Sequence, residues 1–487
     1  MPLKRKKTET HPELFRDHST MVDENVKPNN DLISIPQLST SEELAQNNLP
    51  THTPPKEESE VNGSEAQKSD SVRQVADPIL PEIDIKEESF NEIKALYETE
   101  LHNLMDKVEG PISKREQFEI LFKLLKKEGG MGIKYEFSED RESQTPQEVL
   151  DTKTADCNEF CLLLAVCAKK LEIDITDVTM HIMEMYIQVG ESPDHAALIT
   201  SQEGSYLIDP AYLDNVQVFH PKDPLDVKPI EVRDFYTNVL NGRIIGVKIT
   251  QKAYTINEMY AVNLMETVGV YEGKLRNATG SEAAELRLKT IGVLEKAHEA
   301  DPIKLPAQVK LMHHYMVLAD DAFAKAEGAG NKQVKQRYYK VAEEYCDKAI
   351  ELYKKSKAQH VGKKEEKDIK DVLEIKKNAY HAHDILSKIH LLQSDSPQYL
   401  SELDEMIGID PGETTGYLNK ISHYYGLAGT AASSSNSELA KKHLQKAKET
   451  ADLAKKQFGN DPFKLLKLTP MIEKVEKQLE KLNKTEE

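Results

Sequence analysis

A cysteine, a histidine and an aspartate follow one another in the order that thiol-dependent catalysis requires. Cys157 stands at the predicted start of a helix, His195 at the start of a predicted strand, and Asp209 at the end of the next one. A nucleophile, its general base and the group that orients the base need these residue types. Asp209 lies 14 residues beyond His195. A hairpin of that length can return the end of its second strand to the start of its first.

The helix at Cys157 carries its own start signal. Asp156 and Glu159 stand three residues apart before an apolar periodic run, the pattern of a capping box with Asp156 as the N-cap. Cys157 then takes the first helical position, where unpaired N–H groups and the helix dipole favour a thiolate. The two acidic side chains repel a thiolate, so it needs an imidazolium close by, and His195 is the candidate. We expect the Cys157 N–H to act as an oxyanion donor, with Gln188 as a second candidate.

Each of these residues also has an ordinary structural explanation. A lone cysteine on a helix is most often a small core residue, which is how we interpret Cys161 and Cys167. A histidine near a strand is commonly a boundary residue, and an aspartate before a proline commonly ends a strand. The order and spacing of the three types nevertheless favour a functional site at Cys157, His195 and Asp209.

Residues from about 115 to 215 resemble the core of the transglutaminase-like superfamily. The resemblance is carried by Ile133-Lys134-Tyr135, Thr145-Pro146-Gln147-Glu148-Val149-Leu150, Asp156-Cys157-Asn158-Glu159-Phe160, Leu162-Leu163-Leu164, His195-Ala196 and Ile208-Asp209-Pro210. It implies a papain-like α+β fold, with Cys157 as nucleophile, His195 as base and Asp209 as orienting acid. Members of the superfamily act on amide bonds as crosslinking acyltransferases, peptidases, amidases or deamidases, and several have lost activity.

The chain departs from the common superfamily pattern at three positions. Ala155 replaces the usual glycine before Asp-Cys, Ala197 replaces an aromatic after His-Ala, and Tyr206 stands near the usual place of a tryptophan. Because the triad residues are present, we expect cysteine-dependent acyl transfer or amide hydrolysis on a protein or peptide substrate. The alternative is a catalytically inactive scaffold whose helical region mediates protein–protein interaction. Peptidase, deamidase and crosslinking activities stay open, because they differ in the acyl acceptor and not in the triad.

Charge and composition narrow the classes of function and location. The 487-residue chain has a formal net charge of -19, which argues against nucleic-acid binding and against docking on an anionic membrane. Its four cysteines, three of them on one predicted helix, indicate a reducing compartment without a disulfide framework. No apolar segment follows the basic N-terminus, so we predict no secretory signal. We expect a cytoplasmic protein, or a nuclear one in a eukaryote, without cofactor or metal.

Three segments are predicted along the chain. Residues 1–87 are polar and nearly devoid of aromatics, which is typical of a disordered tail. Residues 88–275 form the predicted transglutaminase-like α+β domain. They contain helical patterns and also strand-like runs at 178–189, 196–200, 205–208, 216–219 and 244–249. Residues 276–487 are predicted to be helical to the end, with inter-helix loops at 328–331 and 433–436.

Three Lys-Ala steps in the helical segment, at Ala297, Ala349 and Ala447, resemble the second helix of tetratricopeptide repeats. Their spacing is irregular, so we predict divergent helical hairpins and not a regular solenoid. The predicted fold class is therefore α+β, with a papain-like core followed by an all-α helical-hairpin array. We expect that array to select a protein substrate or partner.

Overall fold

The computed structural model describes residues 80–126, 130–136, 141–173, 178–187, 194–200, 206–208, 217–218, 244–249, 254–359 and 366–486. In the strands between 178 and 249 the description is of the backbone alone. Most of the segment predicted as a disordered tail, and with it that prediction, lies outside the described residues. Its last part does not, because Ile83 and Ile85 are buried against the helices that follow.

Short helices with clear start signals surround the cysteine. After a 3-10 helix at Pro81–Ile83 come α1 (Glu87–Met105), α2 (Lys114–Lys126), α3 (Pro146–Thr152) and α4 (Cys157–Lys170). Both α3 and α4 begin with a capping box, in which an N-cap side chain and the glutamate three residues later exchange hydrogen bonds with backbone N–H groups. The capping box and the first helical position predicted for Cys157 are therefore confirmed.

Long helices follow and pack as neighbours in sequence. They are α5 (Ile256–Leu275), α6 (Gly280–Ala300), α7 (Leu305–Gly328), α8 (Lys332–Gln359), α9 (Glu366–Leu392), α10 (Ser396–Ile409), α11 (Thr415–Ser433), α12 (Ser437–Phe458) and α13 (Pro462–Glu486). The loops predicted at 328–331 and 433–436 separate α7 from α8 and α11 from α12, as expected. Ala297, Ala349 and Ala447 are all completely buried, which shows that the small residues of the Lys-Ala steps lie at helix–helix contacts.

The strands form two sheets. The first is a parallel pair, β1 (Lys134–Tyr135) with β2 (Thr154–Ala155), which ends where the N-cap of α4 begins. The second has the order β6-β5-β4-β3-β7 with antiparallel neighbours throughout. Its members are β3 (Val178–Ile187), β4 (Asp194–Thr200), β5 (Tyr206–Ile208), β6 (Gln217–Val218) and β7 (Ile244–Ile249). The sequence prediction of strands in these five stretches, and of a β4–β5 hairpin, is confirmed at the level of the backbone.

Three large apolar clusters hold the described helices together. The first core lies between α1, α2, α3, α4 and α5 and includes Phe118, Phe122, Phe160 and Leu163. The second core joins α5 through α9, and the third joins α11, α12 and α13. Phe122 is completely buried and meets Phe160 of α4 edge to face, with ring centroids 5.7 Å apart. Full burial of one such side chain stabilises the fold by roughly 1.5–3 kcal/mol.

The prediction of an α+β fold with a papain-like core is wrong for the part of the chain that the structure describes. When β3–β7, which are described by their backbone alone, are left out, 81% of the remaining described residues are helical. The strands in that part are only the parallel pair β1–β2. No papain-like α/β core is evident in this part. The physical reason is that α4 packs against α2, α3 and α5 as well as against β4, so residues 157–168 are buried on every face. The fold is therefore mostly all-α.

Candidate functional site

Cys157 is the first residue of α4, directly after a closed capping box. Asp156 has an extended backbone, and its Oδ1 accepts a hydrogen bond of 2.9 Å from the Glu159 N–H. In return, Glu159 Oε2 accepts one of 2.9 Å from the Asp156 N–H. The Cys157 side chain is 5% exposed. The box therefore fixes the backbone on both sides of the thiol.

Glu159 fastens a preceding loop to the helix that carries Cys157. Besides the capping contact, its carboxyl accepts a hydrogen bond of 2.6 Å from the Gln144 N–H and forms an ion pair with Arg141. The Glu159 side chain is completely buried, while that of Arg141 is 23% exposed. Glu159 thus holds residues 141–145 over the first turn of α4.

Burial changes the charge next to the thiol. Desolvation raises the pKa of Glu159 to about 7, and the nearby Asp156 acts in the same direction. The N–H donors at Asp156 and Gln144 and the positive Arg141 lower this pKa, but they do not offset burial. Near neutral pH, Glu159 is therefore either protonated or neutralised by Arg141. The sequence led us to expect repulsion of a Cys157 thiolate by this residue, and the structure reduces that repulsion.

A second carboxyl, that of Glu266 on α5, lies near the same turn of α4. Glu266 accepts a hydrogen bond from the Asn158 amide and a long one, 3.5 Å, from the Ser143 hydroxyl. The hydroxyl oxygen of the next residue, Thr267, accepts a hydrogen bond of 2.9 Å from the Ser143 N–H. Desolvation raises the pKa of Glu266, and the nearby Asp156 and Glu159 act in the same direction. The Glu266 residue nevertheless has exposed surface. Glu266 is thus an accessible acid beside the first turn of α4.

The other two predicted triad residues are described less fully. His195 is the second residue of β4, and its backbone lies opposite Met183 of β3. The strand β4 lies against α4, so the elements that carry Cys157 and His195 are neighbours. The structure describes only the backbone of His195. Asp209 and Gln188 lie outside the described residues.

The remaining cysteines are buried inside helices. Cys161 and Cys167 lie on α4 and Cys346 on α8. None of the three forms a disulfide, and none has any exposed surface. Burial raises the pKa of the Cys167 and Cys346 thiols well above the usual range. The interpretation of Cys161 and Cys167 as small core residues is confirmed. In contrast, Cys157 lies at a helix terminus among ionisable groups.

The sequence predicted the capping box but not two residues that contact it or its helical turn. Arg141 precedes Glu159 by 18 residues, and Glu266 lies 108 residues beyond Asn158. No helical or strand periodicity relates positions so far apart, so no local pattern could have indicated them. The capping box of α3, Thr145 with Glu148, does have the Thr-x-x-Glu signature. That signal would have predicted α3 and the position of the loop before α4.

Neither a metal-binding cluster nor a membrane-spanning helix is present in the described part of the chain. No group of three or more His, Cys, Asp or Glu side chains within it is arranged to hold a metal ion. None of its helices combines the length and the apolarity needed to cross a membrane. Comparison of the chain with protein-family models gives no match, and comparison with curated proteins gives no similar sequence.

Proposed function

We propose that this chain is a cysteine-dependent enzyme that transfers or hydrolyses acyl groups at amide bonds of a protein or peptide substrate. The observation that carries the proposal is the place of Cys157 at the first position of α4, immediately after a closed capping box. The free N–H groups of a first helical turn stabilise negative charge on a thiolate sulfur. The same groups can stabilise the oxyanion formed when the sulfur attacks a carbonyl.

Two further observations support a reactive thiol at this position. Arg141 and the raised pKa of Glu159 reduce the negative charge beside Cys157. Glu266, which is exposed, accepts a hydrogen bond from the buried Asn158 amide beside the same helical turn. An amide substrate needs polar groups of this kind for orientation. The choice of amide substrates itself is drawn from the sequence resemblance to the transglutaminase-like superfamily.

In the proposed reaction the Cys157 sulfur attacks the carbonyl carbon of an amide. His195 removes the thiol proton and later gives it to the leaving amine, while Asp209 accepts a hydrogen bond from His195 and orients its ring. The product of this half-reaction is a thioester on Cys157. Water or a second amine then attacks the thioester and restores the thiol. The proximity of β4 to α4 supports the participation of His195.

A second candidate function is a catalytically inactive scaffold that binds other proteins through its helical array. The observation that favours it is burial, because Cys157 is only 5% exposed and every residue from 157 to 168 is buried. A nucleophile needs access to its substrate. If the thiol stays covered in solution, the helical array carries the function.

Thiol reactivity separates the two candidates. We would label the intact chain with iodoacetamide across pH and quantify each cysteine by peptide mass spectrometry, in parallel with His195→Ala. A catalytic Cys157 reacts faster than Cys161 and Cys346, and it slows in the histidine variant. Equal and slow labelling of the cysteines, unaffected by His195→Ala, would support the scaffold.

Thioester trapping tests the chemistry directly. Hydroxylamine attacks an acyl-enzyme thioester and yields a hydroxamate, so we would incubate the chain with glutamine-containing peptides and hydroxylamine and measure the product by mass spectrometry. Cys157→Ser should abolish the hydroxamate, and Cys167→Ser, a change at a buried position of the same helix, should retain it if the variant folds. Product that persists in Cys157→Ser would contradict the proposal.

A further inference from the structure

The last helix, α13, has one face that the core does not cover. Its inner face contributes Leu468, Ile472, Val475 and Leu479 to the third core. The opposite side, which we call the α13 outer face, consists of Phe463, Leu466, Lys467, Pro470, Lys474 and Lys477. These positions recur at three- and four-residue steps, so they lie on one side of the helix. The face spans about 21 Å at the α-helical rise per residue.

The α13 outer face combines an apolar end with a basic stripe. Phe463 is 81% exposed and Leu466 68% exposed. They lie one turn apart, which makes a contiguous patch and not isolated surface residues. The lysines that follow, Lys467, Lys474 and Lys477, have no ion pair within the part of the chain that the structure describes. Their charges are therefore available to a partner.

Pro470 interrupts the hydrogen-bond pattern of α13 on the same face. A proline has no N–H, so the Leu466 carbonyl lacks the donor that the fourth residue along normally provides in a helix. Leu466 itself is exposed. The face therefore offers an apolar contact followed by positive charge.

We infer that the α13 outer face binds an acidic segment of a partner protein, with an apolar side chain of that segment on Phe463 and Leu466. The argument is charge complementarity at a surface whose apolar part is small. Carboxylates of the partner pair with Lys467, Lys474 and Lys477, while the apolar contact sets the register. Glu473 and Glu480 flank the stripe and favour a segment whose carboxylates are spaced and not continuous.

Lipid and nucleic acid fit this face less well. A helix that lies on a bilayer inserts a broad apolar face, but the broad apolar face of α13 is occupied by the third core, which leaves only Phe463 and Leu466. Nucleic acid requires a continuous basic field that extends over a protein surface, and Glu473, Glu476 and Glu480 interrupt the lysines of α13. The inference does not depend on Cys157, so it can fail or succeed independently of the proposed enzyme activity.

The test uses the full chain and two fluorescein-labelled peptides. In one, a Leu-Phe pair precedes a run with spaced glutamates, and in the other glutamines replace the glutamates. Fluorescence anisotropy should detect binding of the glutamate peptide, weakened by added salt. The variant Lys467→Glu/Lys474→Glu/Lys477→Glu should lose about tenfold or more in affinity. The matched control is Lys340→Glu/Lys376→Glu/Lys456→Glu, which changes net charge equally at exposed lysines elsewhere and should bind as the original chain does.

Four results would overturn the inference. They are absence of binding by the glutamate peptide, equal binding of both peptides, equal loss in the two lysine variants, and preferential binding to phosphatidylserine vesicles over the peptide. A further variant, Phe463→Ser/Leu466→Ser, should weaken binding of the glutamate peptide without changing how that binding depends on salt. All altered side chains are exposed, and circular dichroism would verify that each variant keeps its helices.

Discussion

Replacement of Glu159 by alanine should loosen the helix that carries Cys157 more than any other change at this site. The Glu159 carboxyl is completely buried and serves the N–H groups of Asp156 and Gln144 and the Arg141 guanidinium. Alanine leaves these donors without their acceptor. A buried donor left unsatisfied costs about 1–3 kcal/mol, and loss of one member of a buried ion pair costs about 3–5 kcal/mol.

The expected loss of stability for Glu159→Ala is about 3 kcal/mol, the low end of the range for a buried ion pair, for two reasons. Arg141 is partly exposed, so water can solvate it once the carboxyl is gone. Burial also already penalises the charged form of Glu159, as its raised pKa shows. Glu159→Gln keeps an acceptor of the same shape and should cost about 1 kcal/mol. Glu148→Ala, in the exposed capping box of α3, is the matched control and should cost less than about 1 kcal/mol.

Protection of the thiols on α4 measures this loss locally. Cys161 and Cys167 have no exposed surface, so they react with N-ethylmaleimide only when α4 opens. A loss of 3 kcal/mol corresponds to labelling about a hundredfold faster for Glu159→Ala, since each 1.36 kcal/mol is about a factor of ten. Labelling no faster than in Glu148→Ala would refute the reasoning that Glu159 holds the loop and the helix together.

Three further predictions concern pH and packing. The folded pKa of Glu159, raised from 4.5 to about 7, means that its stabilising effect is complete below pH 4.5 and is lost as pH rises through about 7. Histidines of the array have lowered pKa values, so they destabilise the folded array as pH falls below 6.5. On acidification, protection of the thiols should therefore increase on α4 and decrease at Cys346. A change in the same direction at both places would contradict this. The histidines concerned are His298, His313, His423 and His443. Phe122→Ala should lower the free energy of unfolding by about 3–5 kcal/mol in a urea titration, because the ring is completely buried; a loss below about 1 kcal/mol would show that the site collapses. Gly416→Ala should destabilise, because its Cβ would lie 3.0 Å from a neighbouring side chain, whereas Gly426→Ala meets nothing within 4 Å and should stabilise by about 0.5–1 kcal/mol; equal melting temperatures would contradict the pair.

Local signals in the sequence were sufficient for the elements but not for their assembly. The capping box at Asp156, the strand-like runs and the array loops depend on residues within a few positions of one another, and all were predicted where the structure has them. The fold class was wrong because it depends on which elements cover α4. The stripe from Phe160 to Leu171 predicted one buried face, whereas residues 157–168 are buried all round.

The same distinction applies to the candidate site. Cys157 was predicted with its helix position and its cap, because both are written within four consecutive residues. Arg141 and Glu266 reach the site through the packing of a loop and of α5, which no pattern in one sequence reports. The side chains of His195 and Asp209 stay predictions.

The helix α5 has a consequence for any attempt to recombine this protein. Its first half, with Met259 and Leu264, belongs to the first core, while Val268 belongs to the second, and Met265 packs against both. The predicted border at 275/276 falls at the end of this helix. A chimera joined there would give one parent's α5 to another parent's array and would mismatch the second core. Exchange of the array between related chains should therefore succeed only when α5 and the buried residues that it contacts in α6 and α7 come from the same parent.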